Sequence, residues 1–70
     1  MEMQRQCLTD KEKQVAILVC NQLTNKEIAN KLNTPQRTIE KHKENIMFKI
    51  DAKNQVGIAI YAIKNGIFTP

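Results

Sequence analysis

The sequence predicts an all-α, four-helix bundle-like domain that contains a helix-turn-helix. With 70 residues, the chain has room for a single domain. Its two glycines, two prolines, one tyrosine and two phenylalanines are too few for the turn-rich pattern of a small β-barrel. Apolar residues recur at helical spacing between short polar breaks, and this periodicity predicts helices at about 10–20, 25–32, 35–50 and 54–65.

The first two predicted helices share one start signal. Thr9 with Glu12, and Thr24 with Glu27, match the capping box. In that motif a threonine oxygen accepts a hydrogen bond from the backbone N–H three residues on, and a glutamate reaches back. Residues 1–8 precede the first box and are mostly polar, so we expect a flexible leader or linker remnant there, followed by the domain at 9–70.

The last two predicted helices are bounded by residues that disfavour a helix interior. Pro35 suits the first turn of a helix, so the third helix should begin near it with Thr34 as N-cap. Gly66 favours the left-handed conformation that ends the fourth helix. The predicted buried stripe of the third helix consists of Ile39, Ile46 and Ile50.

Composition favours an anionic partner and argues against catalysis. The formal net charge is +4, from 11 basic and 7 acidic residues. Cys7, Cys20 and the single histidine, His42, lack the spacing of a zinc site, so we expect no metal and no cofactor. No nucleophile–base pair is visible, so we expect no enzyme. Two unpaired thiols fit a reducing cytoplasm. No apolar run is long enough to span a membrane, so we expect no membrane partner.

The second and third predicted helices, separated by a short break, have the layout of a helix-turn-helix. In that motif the second helix enters the major groove of DNA. The side of the third helix opposite its isoleucines carries Arg and Lys, which bind guanine acceptors, Asn, which pairs with adenine, and Glu, which accepts from cytosine. The candidate base-reading residues are Arg37, Lys41, Glu44 and Asn45.

Phosphate contacts are expected from polar residues around that side. Lys26 lies in the first turn of the second helix, where backbone N–H groups point outward for an anion. Any one of these side chains could also serve only solubility. The candidate backbone-contacting residues are Thr24, Lys26, Thr38, His42, Lys43, Lys49, Lys53 and Asn54.

Three segments carry a family resemblance: NKEIA at 25–29, TIEKH at 38–42 and NIM at 45–47. With their intervals they resemble the LuxR/FixJ-type (GerE-like) DNA-binding domain of bacterial transcription regulators, over about residues 8–67. The resemblance implies the C-terminal output domain of a response regulator or sensor-linked regulator, and dimerisation through the fourth helix. It places Lys26, Thr38, His42, Lys49 and Asn54 near the DNA backbone, and Lys41 with Glu44 or Asn45 near base edges.

Several positions depart from the family pattern. Gln22 and Asp51 stand where glycine is usual, so we expect the first turn in particular to differ. Thr34-Pro35 replaces a hydrophobic residue and a capping serine, and Gln55 replaces a frequent arginine, which would weaken one phosphate contact.

The fourth helix is apolar on nearly all sides, which raises the question of a partner. Gly57, Ile60 and Lys64 share one stripe, and an isoleucine beside a glycine would let two helices approach closely. We therefore hypothesise a homodimer through these residues, formed mainly on DNA, although a lone exposed isoleucine is ordinary. RNA polymerase is a further candidate partner. The alternatives are a promoter module like sigma-factor region 4 and a protein-binding helical module without DNA binding.

Overall fold

The computed structural model describes residues 8–70 as helices joined by short turns, with no strand in that range. The all-α fold class is confirmed, and each helix begins and ends within one residue of its predicted bounds. The expectations for residues 1–7, including an unpaired Cys7, lie outside the described residues. The helices are α1 (Asp10–Cys20), α2 (Asn25–Leu32), α3 (Gln36–Ile50) and α4 (Gln55–Lys64).

Both predicted capping boxes form. At the start of α1, the Glu12 N–H donates to Thr9 Oγ1 at 3.1 Å and the Thr9 N–H donates to Glu12 Oε1 at 2.9 Å. At the start of α2, the corresponding distances between Thr24 and Glu27 are 3.2 and 2.7 Å. Each box satisfies backbone donors that the first turn of a helix leaves unpaired, and this fixes where α1 and α2 begin.

The start of α3 differs from the prediction. Thr34 is not its N-cap, because the Thr34 hydroxyl donates to the Leu32 carbonyl at 3.0 Å, and Pro35 takes the N-cap position without a side-chain hydrogen bond. The physical reason lies at the end of α2. Asn33 is left-handed, with φ 54°, and turns the Thr34 N–H back onto the Ala29 carbonyl at 2.9 Å. Thr34 therefore completes α2 instead of opening α3.

The turns after α1 and α3 keep a left-handed residue despite lacking glycine. Gln22 has φ 66° and Asp51 has φ 58°. At Gln22 the backbone adopts the left-handed conformation that favours glycine, at a cost of about 1–2 kcal/mol. Gly66, at φ 71°, provides the predicted left-handed stop after α4.

All four helices contribute to one core, and this core fixes the orientation of α3. Leu8, which the sequence analysis assigned to the leader, is only 6% exposed and packs in the core. Ile39 and Ile46 are fully buried, so the opposite side of α3 faces outward. The largest fully buried side chains are Ile28, Ile39, Ile46, Ile58 and Val15. None of the helices between residues 8 and 70 combines the length and apolarity that crossing a membrane requires.

Candidate nucleic-acid interface

The outward side of α3 displays all four residues predicted to read bases. Arg37, Lys41, Glu44 and Asn45 are exposed, and we call this set the outer stripe of α3. Lys41 and Glu44 lie one turn apart, with 4.0 Å between Nζ and Oε1 and side chains 72% and 68% exposed. An exposed pair at that distance contributes little energy, so both side chains can rearrange toward a ligand.

Two helix starts flank an open cleft beside α3. The cleft has a volume of about 490 Å³ and lies between the first turn of α2 and the first turn of α4. The positive ends of two helix dipoles therefore lie on the same side of the molecule, which favours an anion there. Its lining includes Thr24, Asn25, Lys43, Gln55 and Val56.

The predicted backbone-contacting residues at these two helix starts are exposed. Lys26 follows the N-cap of α2, and Lys53 precedes the N-cap of α4. Thr24 Oγ1 accepts from the Glu27 N–H, and Asn54 Oδ1 accepts from the Val56 N–H at 3.0 Å. The threonine hydroxyl hydrogen and the asparagine amide hydrogens remain available as donors to a phosphate.

The structure gives Lys43 a partner inside the protein, and its predicted phosphate contact stays a prediction. Its side chain is only 8% exposed, and Nζ donates to Gln55 Oε1 at 2.9 Å. Burial lowers the pKa of Lys43, against the opposing effect of the Glu40 charge. The ammonium connects α3 to the start of α4, and Lys43 lines the cleft between the first turns of α2 and α4. The sequence did not indicate the bond between Lys43 and Gln55, because the two residues are 12 positions apart and lie on different helices.

Lys49 is partly buried and pairs with an acidic residue of α1. Its Nζ lies 2.8 Å from Glu12 Oε1, and the two side chains are 21% and 6% exposed. Burial by itself raises the pKa of Glu12, but hydrogen bonds from Lys49 and Thr9, together with the charge of Lys49, outweigh it and lower that pKa. This ion pair joins α1 to the last turn of α3, and the predicted phosphate contact of Lys49 stays a prediction.

Thr38 and His42 occupy the flank of α3 between its buried and outward sides. Both are half-buried and lie one turn apart. Their placement leaves an edge of each side chain accessible next to the outer stripe. Among residues 8–70, no three His, Cys, Asp or Glu side chains come together as a group that could hold a metal ion.

On α4, the structure shows two exposed apolar residues beyond the predicted contact stripe. A Cβ atom at Gly57 would lie 2.5 Å from the Ala52 Cβ, so this glycine makes room for its own chain, and its role in a helix pair stays a prediction. Ile60 is 51% exposed, as the prediction requires, and Lys64 is exposed beside it. Sequence reasoning missed Val56 and Ile63, which are 62% and 46% exposed. Their spacing of four and three residues around Ile60 was the available signal, and we call these three residues the apolar stripe of α4.

Comparisons of the sequence with known proteins identify a family and several relatives. A family model named GerE, described as "Bacterial regulatory proteins, luxR family", matches residues 6–62. The chain is 37% identical over 62 residues to the "Uncharacterized response regulatory protein YgeK" of Escherichia coli, covering 89% of this chain and 42% of that protein. It is 38% identical over 61 residues to the "Transcriptional regulatory protein FixJ" of Rhizobium meliloti, covering 87% and 30%.

A third relative extends the same pattern. The "Oxygen regulatory protein NreC" of Staphylococcus haemolyticus is 37% identical over 57 residues, covering 81% of this chain and 26% of that protein. The chain therefore spans less than half the length of these curated relatives.

Proposed function

Because this chain belongs to the luxR family of bacterial regulatory proteins, and so is a DNA-binding domain of transcription regulation, we propose that it reads duplex DNA through the outer stripe of α3. One observation carries this proposal. The second helix of the α2–α3 pair buries Ile39 and Ile46 in the core and leaves polar side chains on the opposite side. Such a helix fits the major groove, where these residue types distinguish bases.

We assign separate tasks to the stripe and to the surrounding helix starts. In the groove, Arg37 and Lys41 donate to guanine acceptors, Asn45 pairs with adenine, and Glu44 accepts from cytosine. Phosphate contacts position the domain without reading sequence. They come from Thr24, Lys26, Lys53 and Asn54, with Thr38 and His42 at the flank of α3.

The interface proposed here omits two predicted lysines. Lys43 and Lys49 are engaged with Gln55 and Glu12, and moving either ammonium to a phosphate would break a hydrogen bond inside the domain. The cost is larger for Lys49, because the Glu12 carboxylate would be left buried with its charge unpaired.

A homodimer on DNA is the second part of the proposal. The apolar stripe of α4 lies opposite the buried Ile58 and Ala62, so it is available to a second copy of the helix. Two-fold symmetric proteins match palindromic sites, and a shared stripe would give a self-complementary contact. Ile60→Glu should prevent two copies from binding a palindromic duplex, as measured by analytical ultracentrifugation. Gln14→Glu adds the same charge on exposed α1 and should leave two copies bound.

The wider context of the domain is also a proposal. Since the relatives are more than twice as long as the matched segment, we propose that the domain is the output part of a longer cytoplasmic regulator, with RNA polymerase as a partner of that whole protein. Its role is binding and not catalysis.

Selection from a random DNA pool, followed by salt titration, tests the proposed function. We expect enrichment of one sequence, and affinity for it should fall steeply with salt as counterions are released from several phosphates. Lys41→Ala, on the outer stripe, should weaken binding to the enriched sequence. Lys31→Ala removes the same charge beside Gln14 and Ile17 and should bind like the wild type. Absence of duplex binding at low salt, or binding only with RNA polymerase present, would contradict the proposal.

A further inference from the structure

Phe48 is the aromatic residue that the core does not use. The chain has one tyrosine and two phenylalanines, all within the described range. Tyr61 and Phe68 pack against the core, whereas Phe48 is 81% exposed. A single exposed apolar side chain is ordinary on a protein surface. The position of Phe48, and not its exposure alone, carries the inference.

Phe48 continues the outer stripe of α3. It follows Glu44 by four residues and Lys41 by seven, which is the spacing that keeps side chains on one side of a helix. At 1.5 Å per residue, Phe48 lies about 10 Å further along the helix than Lys41. Base pairs rise 3.4 Å each, so a helix lying along the groove would bring Phe48 about three base pairs from the pair that Lys41 contacts.

We propose that Phe48 contacts the 5-methyl group of a thymine in the major groove and thereby selects an A·T pair at one position. This inference rests on the proposed function. A phenylalanine side chain has no hydrogen-bonding group and no charge, so it cannot recognise a phosphate or a polar base edge. The thymine methyl group is the one apolar feature that bases present in the major groove, and it is a known partner for apolar side chains.

The surroundings of Phe48 favour DNA over a protein partner. The residues one turn before it on α3 are Glu44 and Asn45, both exposed and polar. The other large exposed apolar residues among those described are Val56, Ile60 and Ile63, which form the separate apolar stripe of α4. A protein-docking site normally has a contiguous apolar centre, and Phe48 lacks apolar neighbours on its side of α3.

The test compares the wild-type chain with Phe48→Ala in two steps. Both proteins first select sequences from the same random duplex pool, and we expect Phe48→Ala to lose the preference for A·T at one position. Each thymine of the wild-type sequence is then replaced by uracil, which removes only the methyl group. One replacement should weaken wild-type binding about fourfold, the value expected for one buried methyl group. The same replacement should leave Phe48→Ala binding unchanged.

Controls separate this contact from general effects of the uracil. Lys41→Ala should retain the fourfold sensitivity at the same thymine, because it changes a different base contact. Circular dichroism should show a folded Phe48→Ala domain, since the side chain is largely exposed.

Three results would overturn the inference. Phe48→Ala could retain the same thymine preference and uracil sensitivity. It could weaken selected and random duplexes equally, which would place Phe48 against the sugar–phosphate backbone. It could also bind DNA like the wild type and lose only transcriptional activity, which would assign Phe48 to a protein partner. Failure of the wild-type chain to bind or select any duplex would instead contradict the proposed function.

Discussion

The two sides of α3 use the same residue type in opposite ways. Lys41 is exposed on the outer stripe, whereas Lys43, two residues later, is buried and bonded to Gln55. Two residues correspond to about 200° of rotation around a helix, so neighbouring lysines reach different environments. Lys49 lies on the flank of α3 that also carries Thr38 and His42, and its ammonium is paired with Glu12. Position around the helix therefore separates the exposed Lys41 from the buried Lys43.

The largest expected change in stability comes from removing the side chain of Glu12 on α1, which pairs with Lys49 on α3. Glu12→Ala removes both the capping-box glutamate and the partner of Lys49, so we expect the free energy of unfolding to fall by about 2–4 kcal/mol. Glu27→Ala is the matched control, because it removes the equivalent glutamate of an exposed capping box. It should cost about 0.5–1 kcal/mol. Urea unfolding would measure both, and equal losses would show that the ion pair adds nothing.

The next largest effect is expected on DNA binding. Substitutions of exposed lysines should change DNA affinity and leave the free energy of unfolding unchanged. Lys41→Ala should lose about 1–3 kcal/mol of binding free energy on the selected sequence and little on random DNA. Lys26→Ala, at the exposed start of α2, should weaken both duplexes similarly and reduce the salt dependence by about one counterion. Fluorescence anisotropy at several salt concentrations checks the difference. Identical behaviour of the two variants on both duplexes would mean that Lys41 contacts only phosphate.

A smaller effect of opposite sign is expected at Lys43. Lys43→Met keeps an unbranched chain and removes a buried ammonium, whose charged form burial disfavours. The exposed Gln55 can then bond to water, so we expect unfolding free energy to rise by up to about 1 kcal/mol. Thermal unfolding would detect the change. A loss of more than 1 kcal/mol would instead make the Lys43–Gln55 bond a main connection between α3 and α4.

The smallest effect is a pH dependence of the Glu12–Lys49 pair. The pKa of Glu12 is lower in the folded protein than its ordinary value, so the folded state binds fewer protons than the unfolded state in acid. Its contribution is complete above about pH 4.5, the ordinary value, and is lost as pH falls through the folded pKa. Urea unfolding should show the wild type losing its advantage over Glu12→Gln in that range. A difference in unfolding free energy between the two proteins that stays constant down to pH 3 would contradict this coupling.

Local patterns were sufficient to predict most of the fold. The capping boxes at Thr9 and Thr24 act over three residues, and the spacing of Ile39 and Ile46 reports directly which side of α3 is buried. The exposed residues of the outer stripe follow from that side. These features depend only on neighbours within one or two helical turns, so a single sequence contains the information.

Contacts that residue type and helical spacing do not report account for what the sequence could not predict. The partners of Lys43 and Lys49 lie 12 and 37 residues away, so charge alone suggested open phosphate contacts. The spacing of Gly57 and Ile60 does not report that Gly57 lies against Ala52, a contact that itself requires a glycine. Thr34 has the residue type of an N-cap, but the left-handed Asn33 before it directs its hydrogen bonds to α2.

The most direct test of the central claim compares the base preferences of Lys41→Ala and Lys43→Met in selection from one random DNA pool. If the outer stripe of α3 reads DNA and the buried Lys43 does not, Lys41→Ala should change the preferred base at one position, and Lys43→Met should select the wild-type sequence. A changed preference in Lys43→Met, or an unchanged one in Lys41→Ala, would contradict the assignment of the two sides of this helix.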